Sequence, residues 1–420
     1  MSAVNTTPPH RIETCIPELR EPGMMVFNIR PGGIAENQAG ANGWFVGVSR
    51  DGEIKLNLNF DAPSQDVRRL KNGNLLVSLT SAGRILEVTR DGEVVRQWHV
   101  AGKWLDKRPP EDSTEIDLPL THHTINLFPN GNLMLLSAEM RQFDNWPAND
   151  SDADAERITA NVIGDIILEV MPNGTIVRKW KMLDILDPYR LSYGSCSGYW
   201  KLRGFENSND WCHTNSVTYD DRDNCLIASL RTQDCLVKFS ATTGEIKWIL
   251  GDPGNWKAPW ADKLLEPVGK VEWQYHQHDV SVTPSGTILC FDNGNYRALP
   301  FASKMPDEVS YSRGVEFAVD EEAMTVQQVW SYGSADGDNT FACYQGGAYR
   351  LPQTGNTFLT YGGVCTKEGV PTSNNADAFA RARLVEITPD GKVVFDLWID
   401  SDENDGGAPL SSFRAEHFPG

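Results

Sequence analysis

The chain has 420 residues, 40% of them hydrophobic and 23% charged, with a formal net charge of −19. That length suits one large all-β domain or a few ordinary ones. The acidic balance argues against a nucleic-acid partner, which needs a basic footprint, and no apolar run is long enough to cross a bilayer. An anionic substrate must therefore be drawn in by a local basic spot.

Met1 to Pro9 lacks a basic segment followed by a hydrophobic run, so a cytoplasmic location is expected. Of the eight cysteines none forms a CxxC pair, so no structural zinc is expected. Buried free thiols are the expectation, with a Cys225–Cys235 pairing across a hairpin as the alternative.

Residues 1–24 read as an N-terminal arm, residues 25–400 as a single domain and residues 401–420 as a C-terminal tail. Within the domain two signatures recur. One is a polar turn leading into a hydrophobic strand: Asn72-Gly73-Asn74-Leu75, Asn130-Gly131-Asn132-Leu133, Asp223-Asn224-Cys225-Leu226, Ser285-Gly286-Thr287-Ile288 and Thr354-Gly355-Asn356-Thr357. The other is a later hairpin turn leading to an aliphatic strand that often ends in Trp: Asp91-Gly92 to Trp98, Asn173-Gly174 to Trp180, Gly244 to Trp248, Met324 to Trp330 and Asp390-Gly391 to Trp398. An earlier copy at Asp51-Gly52 lacks the Trp. Asn-Gly and Asp-Gly between apolar runs mark hairpins, because such turns need positive φ.

Six copies of the second signature divide 420 residues into units of roughly 70, enough for four strands and an insertion. The expected fold is all-β: a six-bladed β-propeller of four-stranded antiparallel blades, with long capping loops. Strands near Leu397 are expected to complete the sheet begun near Met25 and so close the ring. The longest insertions, Trp104 to Leu118, Gln142 to Asn161, Asp184 to Asp210 and Asn255 to Trp273, are expected to be loops over one mouth of the channel.

Three histidines occupy one aligned position of this repeat: His123-Thr-Ile-Asn-Leu, His213-Thr-Asn-Ser-Val and His278-Asp-Val-Ser-Val. Innermost strands of a propeller line its channel, so these imidazoles should converge. The aligned position one unit earlier is Asp66, and in the last unit Gly346-Gly347, expected to leave open space. His122 and His276 stand beside the same positions. Such a cluster could bind zinc or manganese through His123, His213 and His278, with Asp66 or water completing the shell. It could equally run nucleophilic and acid–base chemistry on an oxyanion. Arg231, at the end of the strand after the His213 turn, favours the anion, since a buried cation repels a metal. Asn215 is expected on the His213 side of its strand, and Cys212 on the other, by strand alternation.

At these residues the chain resembles the bacterial arylsulfate sulfotransferases, enzymes that use aryl sulfates as donors. The likeness runs through His122-His123 before Pro129-Asn130-Gly131-Asn132, His213-Thr214-Asn215, Arg231, and Gln277-His278 with Phe291-Asp292-Asn293-Gly294 and Arg297. The stretch from Gly347 to Asn356 also matches, and the whole covers roughly residues 25–400. The resemblance implies a six-bladed propeller with a channel site and ping-pong sulfuryl transfer without cofactor or metal. It implies His278 as the nucleophile that is transiently sulfurylated. His213, Asn215 and Arg231 hold the sulfuryl oxygens, and one of His122 and His123 is a further site histidine. In this scheme His123 is the acid that protonates the departing phenol. Trp211, Trp256, Trp260 and Tyr349 are the rings expected to stack on the substrate. Asp279 after His278 departs from the family pattern and is expected to point away. The expected partner is a small phenolic compound or aryl sulfate, and a homodimer is left open. The same residues also suit a histidine-based lyase, hydrolase or isomerase on a small aromatic metabolite, or a non-catalytic binding propeller.

Overall fold

The turn glycines set the architecture. Gly73, Gly92, Gly131, Gly174, Gly286 and Gly391 have φ of 86–90°, a region closed to most side chains, and each joins two adjacent antiparallel strands. A computed structural model describes residues 7–35, 40–103, 108–401, 403 and 406–420. Trp104, where one expected insertion begins, lies outside the described residues.

The protein is all-β. Its main strands form six sheets, none of which closes on itself. The first is built on Met24–Pro31, Gly43–Ser49 and Ile54–Phe60, and the second on Val67–Arg69, Leu75–Leu79, Arg84–Val88 and Val94–Val100. The third holds Ile125–Leu127, Leu133–Pro147, Arg157–Val170 and Ile176–Lys181. The fourth is Thr214–Asp220, Cys225–Leu230, Cys235–Ser240 and Ile246–Gly251. The fifth runs through His278–Val282, Ile288–Asp292, Arg313–Asp320 and Thr325–Tyr332, and the sixth through Gly347–Arg350, Thr357–Lys367, Phe379–Ile387 and Val393–Ile399.

Each sheet buries both faces, so its core strands read as nearly continuous apolar runs rather than clean alternations. Phe45 and Val77 share a cluster between the first and second sheets, Leu76 and Leu135 between the second and third, and Leu136 and Val217 between the third and fourth. Ile227 and Val315 join the fourth to the fifth, and Phe291 and Val385 the fifth to the sixth. Phe27 and Leu384 then join the sixth back to the first. The succession of packed faces thus returns to its start.

Four expectations need correction. Val393–Ile399 belongs to the sixth sheet, paired with Ala382–Ile387 and with His10–Cys15 from the supposed arm. The strand that completes the first sheet is Ala415–Phe418, from the supposed tail, antiparallel to Met24–Phe27. The stretch Gln142 to Asn161 is largely no loop: it continues the hairpin of the third sheet, whose strands pair from Leu133↔Val170 to Pro147↔Arg157 with a bulge between Phe143 and Trp146. Cys225 and Cys235 do not face each other; Cys225 pairs with Ser240 and Cys235 with Leu230, and both thiols are free.

Candidate functional site

Buried side chains latch the first strands of the third to sixth sheets to the sheet before each. Asp66 Oδ2 accepts the Ile125 N–H at 2.8 Å, Asp165 Oδ2 that of Thr214 at 2.6 Å, Ser216 Oγ that of Val280 at 2.9 Å, and Asp279 Oδ2 that of Ala348 at 3.2 Å. Just before two of these strands, His123 and His213 both adopt φ of 49°. A left-handed residue that is not glycine costs on the order of 1–3 kcal/mol and persists only where its surroundings over-determine it. Here it turns both imidazoles inward.

The result is a cavity of about 640 Å³ lined by His122, His123, His213, His276 and His278 together with Arg231. The rings of His123 and His213 lie 4.9 Å apart, centroid to centroid, and those of His123 and His278 6.4 Å. Three units of the repeat therefore meet at one place. A larger cavity, of about 1020 Å³, opens elsewhere among strand-joining turns and contains no histidine.

Hydrogen bonds fix the tautomers. The Asn293 side-chain N–H groups donate to the carbonyls of Ala342 and Gln345, both at 2.7 Å, so its Oδ1 faces His278. His278 Nδ1 lies 2.7 Å from that oxygen and 3.2 Å from the His276 carbonyl, two acceptors. Nδ1 must carry the proton, and Nε2 is left with a free lone pair. Burial, then the Arg231 charge, hold His278 well below the ordinary imidazole range, so it stays neutral. In the same way His122 Nε2 donates to the Ser137 carbonyl at 3.2 Å, and its Nδ1 accepts from His123 Nδ1 at 2.9 Å. His123 is thereby left with an unprotonated Nε2. Burial pushes His122 down to about 3 and, with the neighbouring imidazoles, holds His123 well below its usual range.

His213 is different. Its Nδ1 lies 2.6 Å from Asp210 Oδ2, and Asp210 Oδ1 accepts the Trp200 indole N–H at 2.6 Å. A buried carboxylate behind one nitrogen fixes the ring and orients the other nitrogen. His276 is likewise held by Asp234, through its ring at 2.9 Å and its backbone N–H at 2.7 Å.

Several expected site residues lie elsewhere. Asp66 is a structural anion, gripping Arg414 and the strand of Ile125; Gln65 takes its place in the cavity wall. Asn215 is the bulged residue between Thr214 and Ser216, which breaks the alternation used to place it. It is fully buried and donates to the Gln277 carbonyl at 2.7 Å, outside the cavity wall. Tyr349 lines the larger cavity without histidines. Trp211, Trp256 and Trp260 donate to the carbonyls of Arg190, Asp252 and Ile185, away from the site. The rings that do line it are Tyr199, Tyr296 and Tyr344. Gly346-Gly347 is not open space: a Cβ at Gly346 would sit 2.5 Å from the Phe291 ring, and one at Gly347 2.7 Å from Arg414 and Asp279.

Asp279 points away from the cavity, into an ion pair with Arg414 at 2.6 Å. Burial raises the Cys212 thiol well above its normal range, and that residue too lies outside the wall. Among the described residues no group of three His, Cys, Asp or Glu side chains is disposed to hold a metal, so the alternative reading of His123, His213 and His278 as ligands finds no such shell.

Sequence reasoning missed the residues that hold the histidines and the charges around them. Asp210 stands three positions before His213, a spacing that could have flagged it. Arg30, Lys103 and Arg203 also line the cavity, from a strand end and two short 3-10 helices with no periodic signal.

Neutral imidazoles with free lone pairs, two imidazoles backed by carboxylates, and cations on the wall make a cavity whose charges suit an anion. The chain belongs to the Arylsulfotransferase (ASST) family, whose model matches residues 21–406. It is 31% identical over 258 residues to the arylsulfate sulfotransferase AssT of Escherichia coli O6:H1, a match over 52% of this chain and 41% of that protein. It is also 31% identical over 218 residues to the AssT of Lelliottia amnigena, over 42% of this chain and 36% of that one. The chain thus matches about two-fifths of the length of these curated relatives. Among solved structures, a Bacteroides caccae protein of unknown function aligns over 92% of this chain and 98% of its own, with a TM-score of 0.44 and 13% identity. The virginiamycin B lyase of Staphylococcus aureus aligns over 89% and 87%, with a TM-score of 0.36 and 10% identity. Likenesses that weak do not bear on the chemistry.

Proposed function

We propose that the six sheets are the blades of a propeller closed by Ala415–Phe418, and that its central cavity transfers sulfuryl groups from aryl sulfates to phenols through His278. The cyclic order of packed sheet faces supports the ring. The observation that carries the chemistry is the tautomer of His278: Asn293 and the His276 carbonyl hold the proton on Nδ1, and Nε2 is the free nucleophile.

In the first half-reaction Nε2 of His278 attacks sulfur. The N–S bond forms as the S–O bond to the ring breaks, and the electron pair leaves with the phenolate. Arg231 bears charge on the sulfuryl oxygens. The sequence assigned the acid to His123, but its hydrogen-bond chain leaves Nε2 without a proton to give. His213, backed by Asp210, is the better acid and protonates the leaving phenolate. In the second half-reaction an acceptor phenol returns that proton to His213, its oxygen attacks sulfur, and the N–S bond breaks. His278 is regenerated neutral.

Incubation with 4-nitrophenyl sulfate and phenol should release coloured nitrophenol, and His278→Ala should abolish the release while leaving the thermal transition intact. After a pulse of donor, mass spectrometry should find one sulfuryl group on the peptide carrying His278. Substantial turnover by His278→Ala would remove it as the nucleophile.

A further inference from the structure

Asp165 is a buried carboxylate with one oxygen left open. Its Oδ2 accepts the Thr214 N–H, whereas Oδ1 makes no hydrogen bond among the described residues. Oδ1 lies 3.4 Å from His122 Nε2, and that nitrogen is itself 3.2 Å from the Ser137 carbonyl. A buried acceptor without a donor is costly, and latching Thr214 requires only one of the two oxygens.

His122 continues the line. Its Nδ1 is 2.9 Å from His123 Nδ1, and the two rings meet edge to face at 5.1 Å. His123 in turn lines the cavity beside His213 and His278. A file of ring nitrogens therefore leads from the cavity to Asp165. The groups around it decide where a proton can rest. Positive charge on His122 or His123 is opposed by burial and by His213 and Arg203, and on His123 by His278 as well. Asp165 faces Asp210, the Cys212 thiol and Thr214, and burial raises it to about 7. An imidazolium is thus disfavoured along the file, and a neutral carboxylic acid at its end is not.

Resting on the sulfuryl-transfer reading, which brings the anion to His278, we infer that Asp165 and His122 are positioning residues that set the tautomer of His123, and that an anionic ester entering the cavity draws one proton into the file. A solvent proton adds to His123 Nε2. His123 passes its Nδ1 proton to His122 Nδ1, and His122 passes its Nε2 proton to Asp165 Oδ1. Two N–H bonds and one O–H bond form, two N–H bonds and one solvent O–H bond break, and all three side chains end neutral. His123 then offers the sulfuryl oxygens an N–H in place of a lone pair, and His213 remains the acid.

Benzenesulfonate is the probe. It carries the anion, but its C–S bond releases no phenolate, so the unsubstituted full chain serves. Calorimetry in buffers of different ionisation enthalpy should count about one proton taken up per benzenesulfonate at pH 8, falling toward zero by pH 6, and affinity should drop by about tenfold per pH unit above pH 7. In Asp165→Asn the Thr214 N–H fixes the amide oxygen, so the NH₂ group turns to His122 Nε2 and locks a proton on His123 Nε2. That variant should take up no proton and should bind at pH 8 as tightly as the unsubstituted chain does at pH 6. His122→Phe keeps a ring against Trp200 but breaks the file, and should lose the uptake too. No uptake by the unsubstituted chain, uptake that survives either substitution, weak binding by Asp165→Asn at every pH, or no binding of benzenesulfonate overturns the inference. Nitrophenol release by the unsubstituted protein is scored separately, and its failure speaks to sulfuryl transfer alone.

Discussion

Replacing Asp210 by Asn changes one atom and should disable His213. The Trp200 indole can only donate, so the new amide must turn its oxygen to that ring and its NH₂ group to His213 Nδ1. Nδ1 then becomes an acceptor, and a doubly protonated imidazole would face a donor instead of a carboxylate. With the 2.6 Å contact, the charge centres of the native pair lie about 4 Å apart. There, unit charges attract by roughly 4 kcal/mol at an effective dielectric constant of about 20. Loss of that support should lower kcat/KM by about three orders of magnitude. The substitution is isosteric, so denaturant melts should shift by no more than about 1 kcal/mol. The assay compares two donors. Phenyl sulfate, with its basic leaving group, needs the acid more than 4-nitrophenyl sulfate does, so its rate should fall further. A loss under tenfold, or an equal loss for both donors, would refute the assignment of His213 as acid.

Stability should fall on acidification. Burial lowers His122 to about 3 and holds His123 and His278 well below 6.5, so below pH 6.5 the unfolded chain takes up protons that the folded chain refuses. Asp165, raised from 3.8 to about 7 by burial, works the other way, adding stability that is lost as pH rises from 3.8 to 7. With His276 also held down by burial and Glu416 raised by it, four imidazoles against two carboxyls leave a net loss of up to roughly 3 kcal/mol per pH unit near pH 5. A melting temperature unchanged between pH 7 and pH 5 would contradict this. Arg414→Met should cost about 3–5 kcal/mol in urea melts, because it strands the buried carboxylates of Asp66 and Asp279, and Asp66→Asn with Asp279→Asn in that background should recover part of it. Gly346→Ala should cost roughly 2–4 kcal/mol, since φ is 121° and the new methyl meets the Phe291 ring.

The turn chemistry was legible in the sequence, because Asn-Gly and Asp-Gly name their own backbone conformation. Counting the copies of the second signature gave six units, and aligning the repeat brought His123, His213 and His278 to one register. Alternation failed where the register itself breaks. Left-handed His123 and His213 and the bulge at Asn215 are local departures from a period of two, and nothing in the pattern of side chains announces them. Asp66 illustrates a second blind spot: a carboxylate at the right repeat position can serve the backbone rather than the cavity. The chain ends were misread for a third reason. Ala415–Phe418 is short, holds Glu416 and His417, and has no turn signal before it, so only its partner strand shows what it is. Lys103 and Arg203 lie on irregular segments, where sequence order says little about who faces whom.

The pairing of Met24–Phe27 with Ala415–Phe418 has a consequence for biogenesis. The earlier strand must wait for the later one, with all the intervening sheets emerging from the ribosome in between. Until then Met24–Phe27 presents an unpaired edge, and Asp66 and Asp279 lack the guanidinium that neutralises them. The molecule is therefore most exposed to mispairing during synthesis, until translation has passed Arg414 and Ala415–Phe418.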